Sequence, residues 1–271
     1  MASGHSNASA KTLGELVDQF QASGRYTLVR EEALCALHAN ALSLKKAAMR
    51  LAAKGRIAVP RRGFYIIVPL EYRVAGAPPP PWFIDQLMVH LDRPYYVGLL
   101  SAAALYGAAH QQPQEYQVMT DEPQRQINVG RNRIRFLVKR NIGRASTEEK
   151  KTETGTLRVS TPEVTAIDLF RYTSAAGGLD NAATVLGELT ERLDERKLAD
   201  AARADGELAC SQRLGYVLEI VGAGNRASAL AEWVNHRKPR NTPLNPRRSV
   251  KGYSVDRRWR VVINDTIEVD I

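Results

Sequence analysis

Ser43-Leu44-Lys45-Lys46-Ala47-Ala48-Met49-Arg50-Leu51-Ala52-Ala53-Lys54-Gly55 is the stretch from which the fold is read. At about 100° per residue, Leu44, Ala47, Ala48 and Leu51 fall on one side of a helix, with Ala52 at their border. Lys45, Lys46, Met49, Arg50, Ala53 and Lys54 fall on the other. Ser43 is placed as the N-cap and Gly55 as the C′ stop. Cations reach phosphates and guanine edges, and small apolar groups meet thymine methyls, so this face suits a DNA groove.

The flanks extend the pattern. Upstream, Leu13, Leu16, Val17 and Phe20 recur at helical spacing behind a Thr12 cap, and Gly24 closes that helix. Tyr26-Thr27-Leu28 follows as a short strand and Glu31 to His38 as a second helix, leaving Ala39-Asn40-Ala41-Leu42 as the turn. Downstream, Ile57-Ala58-Val59 and Phe64 to Val68 read as strands joined by Pro60-Arg61-Arg62-Gly63, which puts two arginines at a hairpin tip. Helix, strand, helix, turn, helix, hairpin is the order of a winged helix-turn-helix, with its basic residues on recognition helix and wing. Ser43, Lys45, Lys46, Met49, Arg50, Lys54, Arg61 and Arg62 are the candidate DNA contacts. The competing reading is a solvated cationic helix face.

Charge supports a polyanionic partner. The 271 residues carry a net +9. Residues 1–75 hold 11 Lys/Arg against 5 Asp/Glu, so most of the excess lies in the first quarter of the chain. Ala75-Gly76-Ala77 followed by Pro78 to Pro81 reads as a polyproline spacer, dividing the chain into a DNA-binding domain (1–75), a linker (76–81) and a larger domain (82–271). Met1 to Ala10 lacks the apolar run of a signal peptide, and no run reaches the 18 apolar residues of a membrane span, so a cytoplasmic protein is expected.

In the larger domain, helices are expected at Trp82–Leu91 and Leu99–Gly107, and from Pro162 behind a Thr161 cap through Val164, Ile167 and Phe170. Strands are expected at Tyr116–Thr120 and Arg133–Val138. Two or three helices follow between Asn181 and His236. Asn264-Asp265 suits a hairpin turn between Trp259–Ile263 and Thr266–Ile271. Without regular βαβ alternation the class is α+β. Arg125, Arg131, Arg133, Arg135, Lys139, Arg140 and Arg144 form one basic zone without an acid. Nine Lys/Arg between Arg237 and Arg260 form another, with a Pro-rich loop at 238–248. Arg131, Arg133, Arg135, Lys139, Arg240, Arg247 and Arg248 are therefore candidate contacts to flanking DNA or an acidic protein.

The run Tyr95-Tyr96-Val97-Gly98-Leu99-Leu100-Ser101-Ala102-Ala103-Ala104-Leu105-Tyr106-Gly107-Ala108-Ala109-His110-Gln111-Gln112-Pro113 resembles the AbiEi family of antitoxins and transcriptional regulators. Ser160-Thr161-Pro162-Glu163 with Asp168-Leu169, and Arg213-Leu214-Gly215-Tyr216, resemble it too. The resemblance spans residues 12 to 271. It implies an autorepressor that binds promoter repeats through its N-terminal domain. It also implies a C-terminal domain that neutralises a cognate nucleotidyltransferase-fold toxin, without a stable complex being required. It carries no catalytic motif and no cofactor. A ligand-responsive winged-helix transcription factor without a toxin is the alternative.

Enzyme motifs are absent: no glycine-rich nucleotide loop, CxxC or HExxH. The five histidines and two cysteines do not pair at metal-ligand spacing. Glu149-Lys150-Lys151 with Asp121 upstream echoes a nuclease triplet, but its neighbours are polar and a solvated loop is expected. No enzyme and no metal are expected.

Overall fold

The computed structural model describes residues 10–108 and 113–269. The leader reading of residues 1–9, the 109–112 end of the tyrosine- and alanine-rich run, His5 and His110 lie outside them. So do the last two residues of the anticipated C-terminal strand.

The chain opens with α1 (Leu13–Ala22), β1 (Thr27–Val29), α2 (Arg30–Leu37), α3 (Ala41–Ala53), β2 (Ile57–Arg61) and β3 (Phe64–Ile67). Then come α4 (Ile84–His90), β4 (Tyr95–Val97), α5 (Leu99–Leu105), β5 (Tyr116–Thr120), β6 (Ile127–Val129), β7 (Asn132–Val138), β8 (Thr147–Thr152) and β9 (Gly155–Ser160). Five helices follow: α6 (Pro162–Arg171), α7 (Leu179–Leu189), α8 (Glu195–Asp205), α9 (Leu208–Ile220) and α10 (Ser228–His236). Short strands β10 (Thr242–Pro243), β11 (Val255–Asp256) and β12 (Val261–Val262) end the succession. Among the described residues this is a mixed α+β chain with three sheets, ordered β1–β3–β2, β10–β12–β11 and β6–β7–β5–β4–β9–β8.

By contact density the chain forms two units. Unit one comprises the residues up to Pro94 with Gln124–Arg135 and Lys150–Leu157; unit two comprises the remainder. In unit one, Leu13, Leu16 and Val17 of α1, Leu28 of β1, Ala33 of α2, Leu44 and Ala48 of α3, and Ile57 and Ile67 of the sheet form one buried cluster. Thr12 caps α1 by accepting from the Glu15 amide at 3.2 Å, and Gly24 takes the left-handed φ of +77° that turns the chain out of it.

Two expectations are corrected here. Asn40, not Ser43, caps α3: its Oδ1 accepts from the Ser43 amide at 2.8 Å. The helix thus begins within the anticipated turn, and His38, at φ 46°, makes the reversal. An asparagine accepts this bond as readily as a serine, so Asn40 can start the helix three residues ahead of Ser43. Asn40→Ala is expected to cost about 1 kcal/mol of stability, read as a lowered Tm; an unchanged Tm would mean that water serves the amide equally well.

The anticipated linker at 76–81 is also part of unit one. Ala77 is buried. The Asn132 side-chain amide donates to the Pro78 carbonyl at 2.8 Å and the Arg131 amide to the Ala75 carbonyl at 2.8 Å. Trp82 packs on Tyr26 and Tyr72 with ring centroids 4.7 and 5.2 Å away. Prolines lose little entropy on fixing and cover apolar surface well, so a proline run serves as packing wherever a partner segment comes back over it. Here the residues around Gly130 do so.

In unit two, α6 is the central helix. Every residue from Glu163 to Phe170 is buried, and the helix packs against α5, α7, α8 and α9. Thr161 caps it and Pro162 opens it, as expected. Four helices, not two or three, follow, beginning at Leu179. The anticipated C-terminal hairpin does not form among the described residues. Asn264 is fully buried, and its side chain donates to the carbonyls of Asn245 (2.8 Å) and Arg248 (3.1 Å) and accepts from the Asn245 amide (2.9 Å). It ties down the 245–249 loop, while β12 pairs with β10 and β11. Glu149-Lys150-Lys151 lies on the edge strand β8, not in a loop; Glu149 and Lys151 are exposed, far from the buried strand a nuclease triplet needs.

Candidate nucleic-acid interface

The packing of α3 determines what it presents. Leu44 and Ala48 are buried, so Ser43, Lys45, Lys46, Met49, Arg50 and Lys54 are all exposed. Met49 is 63% exposed and Leu42, two turns before it, 62%. An open groove runs beside them, lined by Leu42, Lys45 and Met49 from α3 and by Val59, Arg62 and Tyr65 from the β2–β3 hairpin. Cations and uncovered apolar groups therefore alternate along one groove.

The two hairpin arginines are not equivalent. Arg62 is exposed at the tip. Arg61 is part-buried and its guanidinium donates to the Arg125 carbonyl, while burial, and then the Arg125 charge, lower its pKa. His90 from α4 hydrogen-bonds the Arg62 carbonyl through Nε2 at 3.2 Å and packs on Phe64 at 5.4 Å. The tip is thus braced from two sides, and Arg62 is the arginine left to face solvent. Sequence alone does not separate them, because Arg125 is 64 residues away.

The remaining basic candidates divide. Arg131 and Arg133 are exposed in unit one, and Arg135 is half-buried. In unit two Arg240, Arg247 and Arg248 are exposed; Arg247 donates to Ser174 at 2.7 Å and Arg248 pairs with Asp265 at 2.5 Å. Lys139 is corrected outright. It is 3% exposed, and its ammonium lies 2.5 Å from Asp168 and 2.6 Å from Asp205. It is not a surface contact.

Lys139 belongs to a buried network that the sequence reading missed. Asp168, fully buried on α6, also accepts from the Tyr96 hydroxyl at 2.7 Å, and Asp205 also accepts from Arg171 at 2.7 Å. Burial opposes the charge on Lys139, but its two carboxylates outweigh that and hold its pKa above the ordinary value. Burial raises Asp168 against the pull of Lys139. Two cations and two carboxylates balance, which is what allows the cluster in a dry interior. The signal that could have revealed it is Asp168 itself, an acid inside the apolar run Val164 to Phe170.

Among the described residues no group of three or more His, Cys, Asp or Glu could hold a metal, and no helix is long and apolar enough to cross a membrane.

No curated protein sequence matches the chain. A crystal structure of the RV2827C protein from Mycobacterium tuberculosis superposes with a TM-score of 0.68 over 92% of this chain and 90% of that one, at 13% identity. That is a likeness of fold alone. Residues 96–220 match the family model described as the AbiEi antitoxin C-terminal domain, a span that takes in β4, α5 and the buried network and supports a role as the antitoxin of a toxin–antitoxin pair. Over residues 96–220, a little under half of its length, the chain is thus similar to the C-terminal domain of the AbiEi antitoxins.

Proposed function

We propose that the protein is an antitoxin that also represses its own promoter, with unit one a winged helix-turn-helix and α3 its recognition helix. On this reading β2 and β3 are the wing, and unit two neutralises a cognate nucleotidyltransferase-type toxin. The observation that carries the DNA reading is the exposed row Ser43, Lys45, Lys46, Met49, Arg50 and Lys54 beside a groove closed by Arg62. The element order of helix, strand, two helices and hairpin supports it, because in that order the third helix enters the major groove and the hairpin touches the flanking backbone.

The test is a gel shift of the full chain on its own promoter across a salt series. Specific binding should fall steeply with salt, since each neutralised phosphate releases condensed counterions. Replacing Lys45, Lys46 and Arg50 together with Ala is expected to weaken operator binding about a hundred-fold and flatten the logarithmic salt slope by up to about 3. All three side chains are exposed, so the fold should survive. A triple variant that binds like the parent would remove α3 from the interface. Neutralisation is tested separately, by co-expression with the nucleotidyltransferase-type toxin proposed as its partner. The triple variant should still rescue growth, because the reading gives that task to unit two.

A further inference from the structure

Unit two has a cleft beside the buried network, within residues 96–220, to which neither the DNA reading nor the family description assigns a role. Arg140, just beyond β7, Arg171, the last residue of α6, and Arg213 on α9 all line it, together with Tyr172, Glu207 and Cys210. Arginines from three separate parts of the chain thus line one opening.

We propose that this cleft binds a phosphate group, held between Arg140, Arg171 and Arg213. A guanidinium has five N–H donors. Arg171 spends one of them on Asp205. Arg213 donates its Nε–H to the Pro243 carbonyl at 2.9 Å and a terminal N–H to the Thr242 hydroxyl at 3.4 Å. These bonds fix the two planes and leave further donors on each. Burial also lowers the Arg213 pKa, the mark of a cation stripped of water without a full counter-charge. Arg140 is exposed and can swing onto a ligand.

Charge selects the ligand class. Lys139 and Arg171 are balanced by Asp168 and Asp205. That leaves Arg140 and Arg213 against Glu207, a net positive charge in the cleft. A carboxylate presents two oxygens, which one arginine fork satisfies. A phosphate monoester presents three and a second charge, which suits three guanidiniums. Cys210 lines the cleft but takes no part: it is buried, its thiol donates to the Ile167 carbonyl at 3.2 Å, and burial drives its pKa up.

The test is calorimetric titration of the full chain with inorganic phosphate, against chloride at matched ionic strength. Saturable binding is expected with phosphate only. Arg140→Gln should weaken it about ten-fold, the loss of one charge-assisted pair of hydrogen bonds. Glu207→Gln should tighten it several-fold by removing the one acid in the cleft. Both side chains are exposed, so circular dichroism should show folded variants. A second titration with uridine monophosphate separates the sources: tighter binding than phosphate assigns the site to a nucleotide, equal binding to the phosphate group alone. No saturable binding would overturn the proposal. So would binding that ignores both variants and is lost in the Lys45, Lys46 and Arg50 triple variant, since phosphate would then sit on the DNA-binding face.

Discussion

Lys139→Ala is expected to destabilise the protein by about 3–5 kcal/mol, the usual cost of removing one partner from a buried ion pair. Lys139 bridges Asp168 and Asp205 in the network, within 2.6 Å of both. Its loss leaves Asp168 with the Tyr96 hydroxyl alone, in a site with no water-accessible surface. Asp205 retains Arg171. The harm therefore concentrates on Asp168. Asp168→Asn should be milder, because the amide oxygen can accept from Lys139, which still pairs with Asp205, while the amide NH2 donates to the Tyr96 hydroxyl oxygen. Adding Asp168→Asn to Lys139→Met should recover much of the loss, since the orphaned charge is then gone. Urea or thermal unfolding reads all of these. A Lys139→Ala variant within about 1 kcal/mol of the parent would show that water reaches Asp168 and that the interior is not dry there.

The same network marks where sequence reading stops. The order of elements in unit one was legible because each helix buries a stripe at 3.6-residue spacing and each turn carries a glycine or a cap. The exposed cations of α3 followed from that periodicity, since burying Leu44 and Ala48 puts Lys45, Lys46, Arg50 and Lys54 outside. Lys139 failed for the opposite reason. It directly follows a strand rich in basic residues, and its partners lie 29 and 66 residues further on. Nothing local distinguishes a lysine bound for two buried carboxylates from its solvated neighbours Arg133 and Arg140. The inequality of Arg61 and Arg62, the packing of the proline run and the role of Asn264 are likewise set by contacts distant in sequence. Local pattern carries the elements, and the pairing of polar groups across them decides which candidates stay at the surface.

Gly215→Ala is the second change with a large expected effect, about 3 kcal/mol of lost stability, the upper part of the usual cost of overpacking. In an open helix this substitution would help by about 1 kcal/mol, because alanine is the better helix former. Here a β-carbon at position 215 would lie 2.1 Å from Cζ3, 2.2 Å from Cη2 and 2.3 Å from Cε3 of Trp259. The ring cannot step aside. It is fully buried, its Nε1–H donates to Glu219 at 2.7 Å, its amide donates to Asp256 at 2.7 Å, and its carbonyl accepts from Gln212 at 2.9 Å. Either α9 or the segment ending in β12 must shift, and the clash outweighs the gain in propensity. A double-mutant cycle tests the assignment to this contact. With Trp259→Leu in place, Gly215→Ala should become neutral or stabilising, although Trp259→Leu alone is costly. A neutral Gly215→Ala in the parent would mean that the indole has room the packing denies it. The consequence reaches the phosphate cleft, because Arg213 lies two residues before Gly215 on α9 and is held to Thr242 and Pro243 of the strand that pairs with β12. Moving Trp259 moves the platform that aims Arg213, so the Gly215→Ala variant should lose phosphate affinity while the DNA binding proposed for α3 stays intact.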